Sequence, residues 1–152
     1  MKSIQNRNNT FNSLIDNLPS KRKEVYKVIK RLVKCSLDDI INEIGVNKNE
    51  ISGRITELKE TCYIKECEES KISTRSNNKV TVYECIFDNI QRKELLEKSL
   101  DKIDNDIFLL SFYLLPNSQT PERLIYLINK DLKYLESKSK RINKELKKIK
   151  ND

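Results

Sequence analysis

Between positions 48 and 56 the chain reads Lys48-Asn49-Glu50-Ile51-Ser52-Gly53-Arg54-Ile55-Thr56, where most side chains that are not apolar donate or accept hydrogen bonds. The amide of Asn49 offers a donor and an acceptor spaced to match the adenine edge, and Lys48 and Arg54 can reach guanine or a phosphate. Ser52 and Thr56 add shorter hydroxyl partners. Gly53 costs about 1 kcal/mol relative to alanine in a helix interior. Close approach of another surface explains it, whether that surface is external or a packed part of the same chain. A second cluster, Lys71, Arg75, Asn77, Asn78 and Lys79, is also basic and hydrogen-bonding. A third begins at Lys21 and Arg22 and continues through Lys23, Lys27, Lys30, Arg31 and Lys34, against a single Glu24.

Other chemistries find no support. There is no histidine, no glycine-rich phosphate loop, no nucleophile elbow and no repeated acidic metal motif, so no catalytic residues can be assigned and the expected answer is no enzyme and no cofactor. Cys35, Cys62, Cys67 and Cys85 make no Cys-x-x-Cys pair, so no metal is expected and reduced thiols acting as small hydrophobes are the reading. A facing Cys67 and Cys85 is the one disulfide worth testing.

Positioning these groups requires three short helices. Ser20 stands where a cap belongs, and Val25, Val28, Ile29 and Leu32 follow the spacing of a one-sided helix. Ser36 with Asp39 makes a capping box ahead of Leu37, Ile40, Ile41 and Ile44, and Gly45 stops that helix in the left-handed conformation. Asn47 with Glu50 makes a second box, opening a helix whose apolar stripe is Ile51, Ile55 and Leu58. At 100° per residue, that stripe turns Asn49, Gly53, Thr56 and Lys59 or Glu60 outward, with Lys48 and Ser52 on a flank. Glu57 and Glu60 also point outward and would repel phosphate, so only the N-terminal half can lie close to a polyanion. Tyr63–Cys67 and Lys79–Phe87 then read as a β-hairpin with its tip near Thr74–Asn78. Glu66, Glu68 and Glu69 at its base must face away.

From Asp88 the period becomes heptad-like. Leu96, Leu100, Ile103, Ile107, Leu110 and Leu114 form one seam ending at Pro116. Thr120 and Pro121 open a second helix whose seam runs Ile125, Ile128, Leu132, Leu135, Ser139, Ile142, Leu146 and Ile149. The short connection makes the two antiparallel neighbours. Phe108, Leu109, Phe112, Tyr113 and Leu115 widen the first stripe beyond one partner helix, so this surface either self-associates or folds back on the preceding domain. Self-association is favoured, with Leu100, Ile103, Ile107, Leu110, Phe112, Leu114, Ile128, Leu132 and Leu135 as the dimerisation set.

Residues 1–9 are polar and unpatterned and read as a disordered arm, and Thr10 caps a short helix bearing Phe11, Leu14, Ile15 and Leu18. The start has no apolar signal core and no run approaches the roughly 20 residues that span a bilayer, which places the protein in the cytoplasm without a membrane partner. The net charge of +7 suits a polyanion. With 22 Lys, 16 Asn, 18 Ile and no Ala, however, AT-rich codons would produce the same balance, so the placement of charge matters more than its sum. The basic run Lys138–Lys150 reads first as a solvated helix face.

The stretch from Leu37 to Glu60, then Tyr63-Ile64 and Lys79-Val80-Thr81-Val82-Tyr83, resembles the winged helix-turn-helix domains of prokaryotic and phage regulators. The resemblance spans about residues 20–87. It implies that the third helix enters the major groove and that the hairpin contacts adjacent backbone. The fold expected is mainly α with a small β-hairpin: an arm and short helix (1–19), a winged helix-turn-helix (20–87) and a long antiparallel α-helical hairpin or coiled coil (88–152). The function expected is a sequence-specific double-stranded DNA-binding regulator acting as a homodimer. A protein-protein adaptor of a phage assembly or host-takeover kind is the alternative.

Overall fold

The computed structural model describes residue 15, residues 18–116 and residues 118–150. They form α1 (Ser20–Leu32), β1 (Lys34–Ser36), α2 (Leu37–Ile44), α3 (Lys48–Glu60), β2 (Ile64–Ile72), β3 (Lys79–Cys85), α4 (Asn89–Phe112) and α5 (Glu122–Lys150). The protein is therefore mainly α with one small antiparallel sheet. The expected arm, and Thr10, Phe11 and Leu14 of the expected first helix, lie outside the described residues; Ile15 and Leu18 of that helix are buried in the core. Two compact units divide between Arg92 and Lys93.

In the first unit the one-sided stripes meet as their spacing demands. Val25, Val28 and Ile29 of α1, Ile40 and Ile41 of α2, and Ile51, Ile55 and Leu58 of α3 form one buried cluster with Cys35, Ile64 and Cys85 from the sheet. Ser36 caps α2 in a reciprocal box: its backbone N–H donates to Asp39 Oδ2 at 2.7 Å, while its Oγ accepts from the Asp39 N–H at 3.3 Å. Gly45 ends α2 at φ 76°, donating to the Ile41 carbonyl at 2.8 Å.

Several local expectations are corrected. Pro19, not Ser20, is the N-cap of α1, because the Pro19 carbonyl accepts from Lys23 at 2.9 Å. Similarly, Pro121 rather than Thr120 takes the capping position before α5, accepting from Ile125 at 3.0 Å. Asn47 precedes α3 but makes no side-chain cap, and Glu50 reaches Lys21 instead, at 3.6 Å. The Glu50 N–H, which the Asn47 side chain would have to accept, donates instead to the Asn47 carbonyl at 3.1 Å. α3 stops without a glycine: Cys62 adopts φ 52°, and the N–H groups of Cys62 and Tyr63 close back on the Lys59 and Leu58 carbonyls in a Schellman arrangement.

The sheet holds a strand that spacing did not reveal. β1 pairs with β3, giving the order β1-β3-β2. β2 runs five residues past the expected Cys67, but its ladder is interrupted: Glu66 pairs with Tyr83 and the next pair is Ser70 with Thr81. Four steps of β2 thus span two of β3, and such a bulge bends the strand. Its far half crosses to β1, where Lys34 Nζ meets Glu69 Oε1 at 2.8 Å and Lys71 Nζ donates to the Lys34 carbonyl at 3.3 Å. The register also sets Ile64, not Cys67, opposite Cys85, which removes the proposed facing pair. None of the four cysteines is in a disulfide. Burial pushes the Cys35 and Cys85 thiols up to about 12.

A polar column went unnoticed in the sequence. Tyr26 and Tyr63 are fully buried and meet edge to face at 6.0 Å. The Arg92 guanidinium stacks 3.8 Å above the Tyr63 ring and its Nε donates to the Thr61 carbonyl at 3.0 Å.

The second unit is the helical hairpin. The seam residues Leu96, Ile103, Ile128, Ile142 and Leu146 are buried; Leu100, Ile107, Leu110, Leu114, Ile125, Leu132 and Leu135 are half-buried. α4 ends at Phe112, two residues before Leu114, in a run of tight turns. Leu109 and Leu110 of α4 and Tyr134 and Leu135 of α5 line one groove, as antiparallel neighbours must.

Candidate nucleic-acid interface

The exposed side of α3 begins at Lys48 and Asn49, which lie on the surface beyond the α2–α3 turn. Ser52 and Thr56 spend their hydroxyl protons on their own helix, donating to the carbonyls of Lys48 (2.8 Å) and Ser52 (3.0 Å). Both oxygens keep acceptor capacity outward. Gly53 is exposed, and a Cβ built there meets no atom within 4 Å. Packing within the protein therefore does not account for this glycine.

Arg54 and Arg22 are placed differently from the free cations expected. Arg54 Nη1 binds both oxygens of Glu57, at 3.2 and 3.0 Å, and Arg22 Nε lies 3.0 Å from Glu57 Oε2. Glu57 is therefore not the bare repulsive charge inferred from spacing, because two guanidinium groups neutralise it. Lys59 pairs with Glu66 across to β2 and Lys34 with Glu69, so two of the three glutamates at the hairpin base meet a cation.

The hairpin tip does not project freely. Ser73, buried at 4% exposure, accepts from the backbone N–H groups of Arg75 and Ser76, each at 3.1 Å, and bonds Asp38 of α2. Asn77 takes φ 56°, tolerable for asparagine, and donates its N–H to the Ser73 carbonyl at 3.0 Å. Lys71 Nζ lies 3.4 Å from Asp39 Oδ2, and Arg75 Nη2 donates to Asn42 Oδ1 at 2.7 Å. Burial raises the Asp39 pKa, but the Ser36 hydrogen bonds and Lys71 outweigh it and leave the carboxyl below its ordinary value.

This latch brings two predicted groups together. Asn42, Gly45, Asn47, Lys48 and Arg75 line a single polar groove between the α2–α3 turn and the hairpin tip. Lys48 and Lys79 are exposed, and among the described residues neither has a carboxylate in ion-pair range. Lys21 sits on the α1 surface in its pair with Glu50. Asn42 and Asn47 were missed as site residues. Their signal, two asparagines flanking the helix-stopping glycine, was present, but Asn47 was read only as a helix cap and Asn42 was given no role.

No family model and no curated protein matches the chain. A crystal structure of a transcriptional regulator aligns over 97% of this chain and 95% of that one, at 10% identity and a TM-score of 0.37. So distant a likeness lends no weight to a functional reading. Among the described residues, no helix is long and apolar enough to cross a membrane.

Proposed function

We propose that residues 20–87 are a winged helix-turn-helix that reads double-stranded DNA, and that the protein is a homodimeric, sequence-specific transcriptional regulator in the cytoplasm of a prokaryote or phage-infected cell. The observation that carries this is the groove where Lys48 of α3 and Arg75 of the hairpin converge, beside the uncovered face at Gly53. The element order supports it too: helix, strand, two helices and a two-stranded hairpin. In this reading the N-terminal half of α3, with Lys48, Asn49, Ser52, Gly53 and Thr56, lies in the major groove. Lys48, Arg75 and Lys79 hold backbone phosphates on either side of it. Arg22 and Arg54 set the charge of Glu57 and position the helix more than they touch DNA. No catalytic role and no cofactor is proposed.

Selection of bound duplexes from a random library, followed by affinity measured across salt, tests this. Several phosphate contacts give a slope of about −0.9 per contact in log affinity against log salt. Lys48→Glu with Arg75→Glu should lower affinity at least tenfold and flatten that slope; a slope near zero in the parent protein refutes DNA reading.

A second reading, a protein-protein adaptor, draws on the pairing of Arg22, Arg54 and Lys71 with carboxylates of the same chain. Retention of cellular function by the double charge reversal favours it.

A further inference from the structure

Residues 107–121 carry no charged side chain, in a chain that is 35% charged. This segment contains the end of α4 and the turns that follow. Around it, large apolar side chains remain exposed beside the seam between α4 and α5. On one flank these are Leu109 (58%), Leu124 (43%), Leu127 (46%) and Tyr134 (53%), with Tyr113 (54%) at the helix end. Leu124, Leu127, Asp131 and Tyr134 are spaced 3, 4 and 3, so α5 bears a second heptad stripe beside its seam.

The geometry points to a second copy of this hairpin as the occupant of that flank, the two hairpins forming a four-helix bundle. This rests on the homodimeric reading above and names the surface; the dimerisation set drawn from the sequence lies largely in the intrachain seam, leaving only Phe112 strongly exposed. Two features of the flank favour a like partner. Its five apolar residues, each about half exposed, present roughly 500 Å² per copy. Two copies supply about 1,000 Å², near the apolar share of a standard interface of about 1,600 Å². The charges are self-complementary as well. Asp106 and Asp131 line the groove, while Arg123 and Lys130 alternate with Leu127 and Tyr134 along the outer edge of α5, so each copy offers acids to the other's bases. A two-fold contact requires that reciprocity.

Light scattering on the full chain at tens of micromolar tests the surface. The parent protein should have twice the monomer mass. Leu109→Lys with Leu127→Lys should give a monomer with unchanged helical circular dichroism, since both residues are exposed, and Tyr126→Lys, 70% exposed on the opposite flank, should leave a dimer. A monomeric parent, a dimer that survives the double substitution, or a monomer produced by Tyr126→Lys overturns the proposal. Its failure is separable from that of DNA reading. The monomeric variant should keep the salt slope per half-site while losing on the order of 100-fold on a paired site, the avidity of two linked heads. Equal affinity of variant and parent for the paired site also overturns it, and a dimer with no salt slope refutes DNA reading alone.

Discussion

Residues 20–92 bury Tyr26, Ile29, Ile40, Leu58 and Tyr63 completely, drawing on three helices and the chain that leads into the sheet, whereas residues 93–150 bury one stripe along two helices. The polar groups differ in parallel. In the first unit Glu57 gathers two arginines, Asp38 and Asp39 hold the hairpin, and Lys34 and Lys59 find glutamates. In the second, large apolar side chains stand exposed around the interhelical turns. Among the described residues the first unit pairs much of its own charge and leaves four large apolar side chains exposed, Val33, Ile72, Phe87 and Ile90, while the second leaves nine. In the reading proposed above, one recognition surface is built from charge held in place and the other from apolar area left uncovered.

Core truncation offers the largest break in that comparison. Leu58→Ala should cost about 3–4 kcal/mol in denaturant unfolding, since the side chain is fully buried, while Leu135→Ala in the half-buried seam should cost under about 2. Equal losses would mean that the hairpin is as self-sufficient as the first unit. Next, Arg92→Lys keeps the charge but loses the planar stack on Tyr63 and the Nε–H to Thr61, and should cost about 2 kcal/mol by the same measurement. An unchanged midpoint would show the polar column to be ornamental.

Gly53→Ala separates stability from recognition. With open space around the site, alanine should raise stability by up to about 1 kcal/mol. If DNA approaches that face closely, the same change should weaken binding about tenfold; stabilisation with unaltered affinity would sink the close approach. The smallest effect is expected from pH. Because the Asp39 carboxyl is held below its ordinary value, its contribution is present above the unfolded pKa of about 4 and fades as pH falls through the folded value. With the intrinsic pH dependence of exchange divided out, the protection factors of the Ser73–Asn78 amides should therefore fall as pH drops below about 4, and Asp39→Asn should remove that dependence.

The helices were legible because their evidence is local: α2 is bracketed by its Ser36 box and Gly45, and the stripes of α1 and α3 each show one face. β1 was not, since three residues carry no period and Lys34–Ser36 becomes a strand only by pairing with β3 some 48 positions away. The bend in β2 was hidden for the same reason, and with it the latch that brings Arg75 to Lys48. Glu57 was misjudged because helical geometry gives the direction of a side chain but not what arrives from α1. The end of α3 was unmarked, because Cys62 occupies a backbone conformation that glycine would have announced. Gly53 was visible in the sequence as an anomaly, a glycine in a helix interior, and the open space around it rules out internal packing as its explanation.

The thiols give the molecule an experimental handle. Cys35, Cys62 and Cys85 are buried, and Cys35 and Cys85 are held protonated far above neutral pH, so they are poor targets for alkylation. Cys67 is only half-buried and sits at the onset of the β2 bulge. A maleimide dye or spin label added to the unaltered chain should therefore attach at one place. That place lies on the strand whose bend carries the hairpin to α2, so the label's spectrum becomes a direct readout of whether the latch is closed.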